Sequence, residues 1–284
     1  IIMSGCSLHE VNHSVDPTLE PQAGFSALQD KMAFNDASFS AWWEDFESPE
    51  LDELIRDAMA ENQDVVQALY RVKQAETRIT ATRSSRYPQL NLEGQTGYNL
   101  DGPDRDRSDG RIGAALEWEI DAFKRIDAAA KADQFEVLNL KETVQTLRLS
   151  LSADVAAAWF GAVAARNTLD LLAQQVRIDR ELLELLELRF EKGVGTRVEV
   201  MQQKSRVAES RSLIPTAQAD LRVFENRLDV LLGKMPDGKN RVPASAVLDV
   251  NDTLPQVGVP ADLLLNRPDL RAAKASLIAA DHDI

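Results

Sequence analysis

The feature that most limits this chain is a run from about Lys124 to Phe190 that contains no proline and one glycine, Gly161. Apolar residues step through it by three and four: Val137, Leu140, Val144, Leu147, Leu151, Val155, Ala158, Ala162, Ala165, Leu169, Leu172 and Val176, then Leu183, Leu186 and Phe190, with Asp179 as the interruption. At 1.5 Å per residue such a helix is about 100 Å long. No compact domain holds a rod of that length, so the spacing predicts an extended coiled coil or helical barrel.

Other segments fit the same plan. Glu191 to Thr196 breaks the run; Gly193 suits a helix C-cap and Thr196 the N-cap of a returning helix to about Leu232. In the returning helix Val200, Val207, Ile214, Leu221 and Leu228 recur every seven residues, and Pro215 predicts a kink. An earlier helix is predicted from Ser48 to Ser85. There Leu51, Ala58, Val65, Val72 and Ile79 recur at the same period beside Ala68, Ala75 and Thr82.

Between these helices the period drops to two. Leu90, Leu92, Tyr98 and Leu100 alternate with Gln89, Asn91, Glu93, Gln95 and Asn99; after a charged loop, Ile112, Ala114, Leu116, Trp118 and Ile120 alternate with Arg111, Glu117, Glu119 and Asp121. The pattern predicts a β-hairpin over 89–121 with one apolar and one polar face. Strands of about 11 residues match a tilted bilayer crossing. On this reading Leu90, Leu92, Tyr98, Leu116, Trp118 and Ile120 face lipid. Glu93, Glu117, Glu119 and Asp121 face a lumen, where they set a cation preference. One hairpin leaves backbone groups unpaired in lipid, so several chains are expected to build the barrel together.

The composition narrows the classes. A formal charge of −14 argues against a nucleic-acid partner. No run of 18 consecutive apolar residues predicts a spanning helix, which says nothing of a β-barrel. The single cysteine, in Met3-Ser4-Gly5-Cys6-Ser7, follows an apolar start and resembles the end of a lipoprotein signal, which predicts a palmitate-type lipid anchor on Cys6 and a truncated N-terminus. His9, Glu10 and His13 have a metal-like spacing, but Asn12, Ser14, Asp16 and Pro17 do not sustain the helix it requires. The segment Asp104 to Gly110 is not a calcium loop, since its glycine is one place late and Ala115 stands where Glu belongs. No metal, cofactor or catalytic set is therefore expected, and the chain is not read as an enzyme. Trp42 and Trp43 are read as an anchor for the linker.

The last residues echo the first long helix. Shifted by 205, Asp64 meets Asp269, Ala68 meets Ala273, Ala75 meets Ala280 and Ile79 meets Ile284, while Val65 and Val72 meet Leu270 and Leu277. The expected organisation is a signal end and lipidated cysteine at 1–6, a linker at 7–47, a helix at 48–88 and the hairpin at 89–121. A helical hairpin at 122–232 with its tip at 191–197 follows, then an irregular segment at 233–267 and a truncated second repeat at 268–284. The fold class is mainly α, with coiled-coil-like helices forming an α-barrel and a transmembrane β-hairpin contributing to an oligomeric β-barrel.

Trp43-Glu44-x-Phe46, Pro49-Glu50-Leu51, Asn62-x-Asp64, Tyr87-Pro88, Trp118-Glu119, Gly193-Val194-Gly195-Thr196 and Arg267-Pro268-Asp269, in this order, resemble the outer-membrane efflux proteins of the TolC/OprM type, in their NodT-like lipoprotein branch. The resemblance implies a homotrimer in the outer membrane that reaches into the periplasm as the export duct of a tripartite efflux system for drugs or other small molecules. It implies a periplasmic adaptor and an inner-membrane pump as partners, with the turn Gly193, Val194, Gly195, Thr196 and Arg197 as the docking tip. A periplasmic adaptor or a coiled-coil scaffold lipoprotein is the alternative. The adaptor needs small β-domains, for which the strands at 89–121 are too long and too one-sided.

Overall fold

The computed structural model describes residues 39–98, 108–243, 246 and 266–283. Cys6, the linker through residue 38, the histidine cluster, the loop at 99–107 and most of the irregular segment lie outside the described residues. A 3-10 helix (Phe39–Phe46) is followed by α1 (Pro49–Glu61), α2 (Gln63–Ser84), β1 (Gln89–Tyr98), β2 (Ser108–Glu117), α3 (Arg125–Glu191), α4 (Arg197–Leu231) and α5 (Pro268–His282). These elements divide into two units. One holds residues 67–98, 108–145 and 266–283, and the other holds 39–66, 146–243 and 246.

In the first unit the seven-residue seam of α2 meets the start of α3. Val72, Val137 and Val144 are buried together, with Ala68, Ala75, Ile79 and Leu140 packed around them. Polar bonds line its edge: the Thr82 hydroxyl donates to Asp133, and Arg78 and Lys141 pair with Asp133 and Glu76. Helix α5 also packs here, with the Arg271 guanidinium on Glu142 and the His282 ring stacked on Phe135. Its start corresponds to that of α2 under the 205-residue shift, but its buried face does not. Ala272, Ala275, Ile278 and Ala279 are buried, while Leu277, the counterpart of Val72, is exposed. The Arg271 and His282 contacts hold α5 in this rotation, which buries three alanines and Ile278 and leaves Leu277 outside.

The second unit has the larger core. Trp43, Leu51, Ile55, Ala58 and Val65 pack against Leu151, Val155, Ala158, Trp159, Ala162 and Val163 of α3, with Leu228, Leu232 and Val242. Burial of a large aliphatic side chain such as Leu51 or Ile55 contributes about 1.5 to 3 kcal/mol. The Trp42 indole N–H donates to the Ser152 hydroxyl at 3.0 Å. An 18-residue stretch of α3, though not continuously apolar, is apolar enough by composition to cross a membrane, and 44% of it is buried within the protein.

The single helix expected over 48–85 is two helices. Asn62 is extended, and its carboxamide oxygen accepts the backbone N–H of Asp64 and of Val65, while its Nδ2 donates to the Leu231 carbonyl. An asparagine that offers the backbone such a local partner competes with the helix and caps the next one. The N-cap at Ser48 forms as the spacing predicts, and α4 runs on through Pro215.

Behind α4 an ionic cluster forms. Glu225 and Asp229, one turn apart on α4, are both buried. Arg166 of α3 and Arg222 pair with Glu225 at 3.2 Å each, and Arg241 pairs with Asp229. Arg166 also donates to the Val242 carbonyl, and Asp237 pairs with Arg241 at 3.0 Å. Residues 234–243 are thereby strapped across α3 and α4. Sequence periodicity does not reveal this cluster, because charged residues on a helix ordinarily read as a solvated face.

Candidate membrane hairpin and helical tip

The strands pair antiparallel, with Leu90 opposite Leu116, Leu92 opposite Ala114 and Gly94 opposite Ile112. Directly opposed residues share a face. That face is apolar and bare: Ile112 is 93% exposed and Leu92 73%. The other face holds the pairs Gln89–Glu117, Asn91–Ala115, Glu93–Gly113 and Gln95–Arg111. Both edges of this two-stranded sheet are unpaired among the described residues. Tyr98 closes β1, and its side chain lies outside the described residues.

Four residues expected on β2 lie beyond it, since the strand ends at Glu117. Trp118 donates its indole N–H to the Arg86 carbonyl at 3.1 Å. The Arg125 guanidinium forks onto Glu119, at 2.7 Å to one oxygen and 2.8 Å to the other. Asp121 accepts the backbone N–H of Ile126 and of Asp127, satisfying donors that the first turn of α3 leaves open. Ile120 stands in the same turn, where its carbonyl accepts the N–H of Ala122. Glu119 and Asp121 are thus junction groups rather than strand-face acids. Alternation happens to persist through the turn, and the signal that separates the two is an aspartate just ahead of a helical run.

The tip is built by two caps. At the end of α3 the Gly193 N–H reaches the Phe190 carbonyl and the Val194 N–H reaches the Arg189 carbonyl, a Schellman pair with Gly193 at φ +74°. At the start of α4 the Thr196 hydroxyl accepts the Glu199 N–H, and the Glu199 carboxylate accepts the Thr196 N–H at 2.8 Å. That backbone N–H holds the Glu199 carboxyl below its ordinary range, with help from the Thr196 hydroxyl. Thr196 is thus engaged as a cap, which leaves Val194, 66% exposed, as the bare apolar group of the turn, with Val198 exposed in the first turn of α4. Gly195 is crowded: a methyl there would sit 3.1 Å from the Phe190 nitrogen. Arg197 opens α4.

Away from both places, Asp179 is buried between α3 and α4. Its carboxylate accepts from the Ser210 hydroxyl at 2.6 Å and the Gln175 amide at 3.0 Å, and its carbonyl accepts from Gln203. These bonds, that of Ser210 first, hold its carboxyl below the ordinary range. The interruption in the apolar pattern of α3 is this polar knot. Among the described residues no group of three or more His, Cys, Asp or Glu is placed to hold a metal.

The model of the outer membrane efflux protein family matches residues 54–234. The chain is similar to the pyoverdine export outer membrane protein OpmQ of Pseudomonas putida, 29% identical over 255 residues, covering 86% of this chain and 54% of that relative. It is 30% identical over 266 residues to the toluene efflux pump outer membrane protein TtgF of Pseudomonas putida, covering 86% of this chain and 52% of that one. The fold is that of the outer-membrane channel OprN, with a TM-score of 0.77 at 23% identity over 95% of this chain and 62% of that structure. The chain thus spans about half the length of these two curated relatives.

Proposed function

The chain belongs to the outer membrane efflux protein family and is an outer-membrane protein; from that premise we propose that it is part of a passive export duct for small molecules, the outer-membrane channel subunit of a tripartite efflux system. The observation that carries this reading is the hairpin. Its two strands bare one apolar face, and neither edge is paired. In lipid an open edge leaves backbone groups without partners, so such a hairpin requires strands from elsewhere to close a barrel. We take the closing strands to come from a homotrimer, with Glu93 and Glu117 toward the lumen and Leu90, Leu92, Ile112 and Leu116 toward lipid. Long helices with small seam residues continue the duct. A lipid anchor on Cys6 and docking of a periplasmic adaptor, itself tied to an inner-membrane pump, on the turn 193–197 complete the proposal. The family is one of transport ducts, and no catalytic step is assigned.

The test is membrane fractionation with crosslinking of the natural gene product, together with export assays in cells that lack it. Recovery in the outer membrane as a three-copy species, with dye or drug accumulating when the gene is deleted, is expected. A single-copy protein whose loss leaves accumulation of a broad compound panel unchanged overturns the reading.

A further inference from the structure

The polar face of the hairpin carries free charges of both signs. Glu93, Glu117 and Arg111 are exposed and make no ion pair among the described residues, whereas Glu119, Asp127 and Asp133 beyond the strands are paired. In the register Glu93 stands opposite Gly113 and Arg111 opposite Gln95, so the two charges are diagonal neighbours on one face. Diagonal neighbours lie within reach of long side chains. Here they stay unjoined, and both remain open to a third group. Gly113 widens that opening, since a methyl built on it meets nothing within 4 Å.

The signs are ordered along the strands. From the helix side the order is Glu117, then Glu93, then Arg111. At about 3.4 Å per residue, Arg111 lies about 7 Å from the level of Glu93 and about 20 Å from that of Glu117. The Debye length at physiological salt is about 8 Å. Glu93 and Arg111 therefore act on a solute as one unit of two signs, while Glu117 acts alone. An arginine takes a carboxylate or phosphate on two parallel N–H donors, and a lumen carboxylate favours cations.

We propose that Arg111 and Glu93 form a two-sign subsite that selects zwitterionic solutes, with a carboxylate or phosphate on Arg111 and an ammonium on Glu93. Arg111 determines the specificity, because Glu93 and Glu117 alone make an acidic face. The subsite rests on the reading of this face as a lumen, so the test separates the two. The assembled full-length protein in lipid vesicles carries one added cysteine, as Gly113→Cys, Gln95→Cys or, on the apolar face, Ile112→Cys. Labelling rates are measured with water-soluble methanethiosulfonates of either charge. Gly113→Cys is expected to prefer the cationic reagent and Gln95→Cys the anionic one. Each preference should be at least about twofold, the directly opposed charge at about 5 Å outweighing the diagonal one at about 7 Å. Arg111→Gln should invert the preference at position 95, and Arg111→Lys should retain it. The zwitterion 6-aminohexanoic acid should slow labelling at positions 95 and 113 more than glucose at the same concentration, and Arg111→Gln should remove that protection. Ile112→Cys labelled as fast as Gly113→Cys overturns the lumen face and the subsite with it. Fast labelling confined to positions 95 and 113 overturns the subsite alone if it shows no sign preference, if the preference at 95 survives Arg111→Gln, or if the zwitterion protects no better than glucose.

Discussion

Gly161 lies against the ring of Phe224, so close that a methyl built on it would stand 2.4 Å from the Phe224 Cε1 atom. This is the one glycine of α3, and it admits the ring that a larger residue would displace. Gly161→Ala is expected to destabilise the protein by about 1 to 3 kcal/mol through overpacking. Adding Phe224→Leu should restore most of that loss. Denaturant unfolding of both variants checks it, and strictly additive effects would remove the contact as the cause.

Asn62 holds two helices and a third chain segment with one side chain. Asn62→Ala removes a cap and leaves the Leu231 carbonyl without its donor, so a loss of about 1 to 3 kcal/mol is expected. Asn62→Asp keeps the capping oxygen and loses the donor, so it should fall between the parent and the alanine variant in thermal unfolding.

The Asp179 knot predicts an acid-dependent stability. Its carboxyl titrates below its ordinary value, the Ser210 hydroxyl being the largest cause. A group lowered in the folded state contributes stability above its unfolded pKa, roughly 3.9, and loses it as the pH falls through the folded value. Ser210→Ala should raise the pH at which that stability is lost. Melting curves of parent and variant between neutral pH and roughly pH 3 measure the shift, and coincident profiles would exclude Asp179 as the responsible group.

The hairpin register predicts unequal damage from one charge at neighbouring positions. Leu116→Arg on the apolar face, one residue from the strand end, should cost up to about 1 kcal/mol, with a matching loss of assembled oligomer. Ala115→Arg, on the face of Glu93 and Glu117, should be milder. Equal yields of assembled protein would refute the facing.

Val194→Glu should leave trimer assembly intact, because the change stays at the surface of a turn held by backbone bonds. Adaptor crosslinking and export should fall. Normal crosslinking and resistance in this variant would remove the turn from the docking site.

Much of this architecture is legible in the residue order because its periods are strict. The α3 pattern of threes and fours, the alternation of Leu90 and Leu92 against Glu93, and the caps at Ser48, Gly193 and Thr196 each have a local physical cause. What stays hidden depends on partners distant in the chain. The break at Asn62 is completed by Leu231, the end of β2 by Arg125 and the helix that follows, and the face of α5 by Glu142 and Phe135. The acids Glu225 and Asp229 read as ordinary surface charge until Arg166 and Arg241 are brought to them.

That last cluster has a kinetic consequence. Residues 234–243 contain no helix or strand, and they are held by Asp229 on α4 and Arg166 on α3. The Asp229 anchor is local to the end of α4, but the Arg166 anchor forms only once α3 has closed on α4, so the segment acts as a clasp whose last fastening reports that closure. Cleavage by a protease between Asp237 and Arg241 during refolding therefore works as a clock, and the moment it stops marks the closing of the two helices.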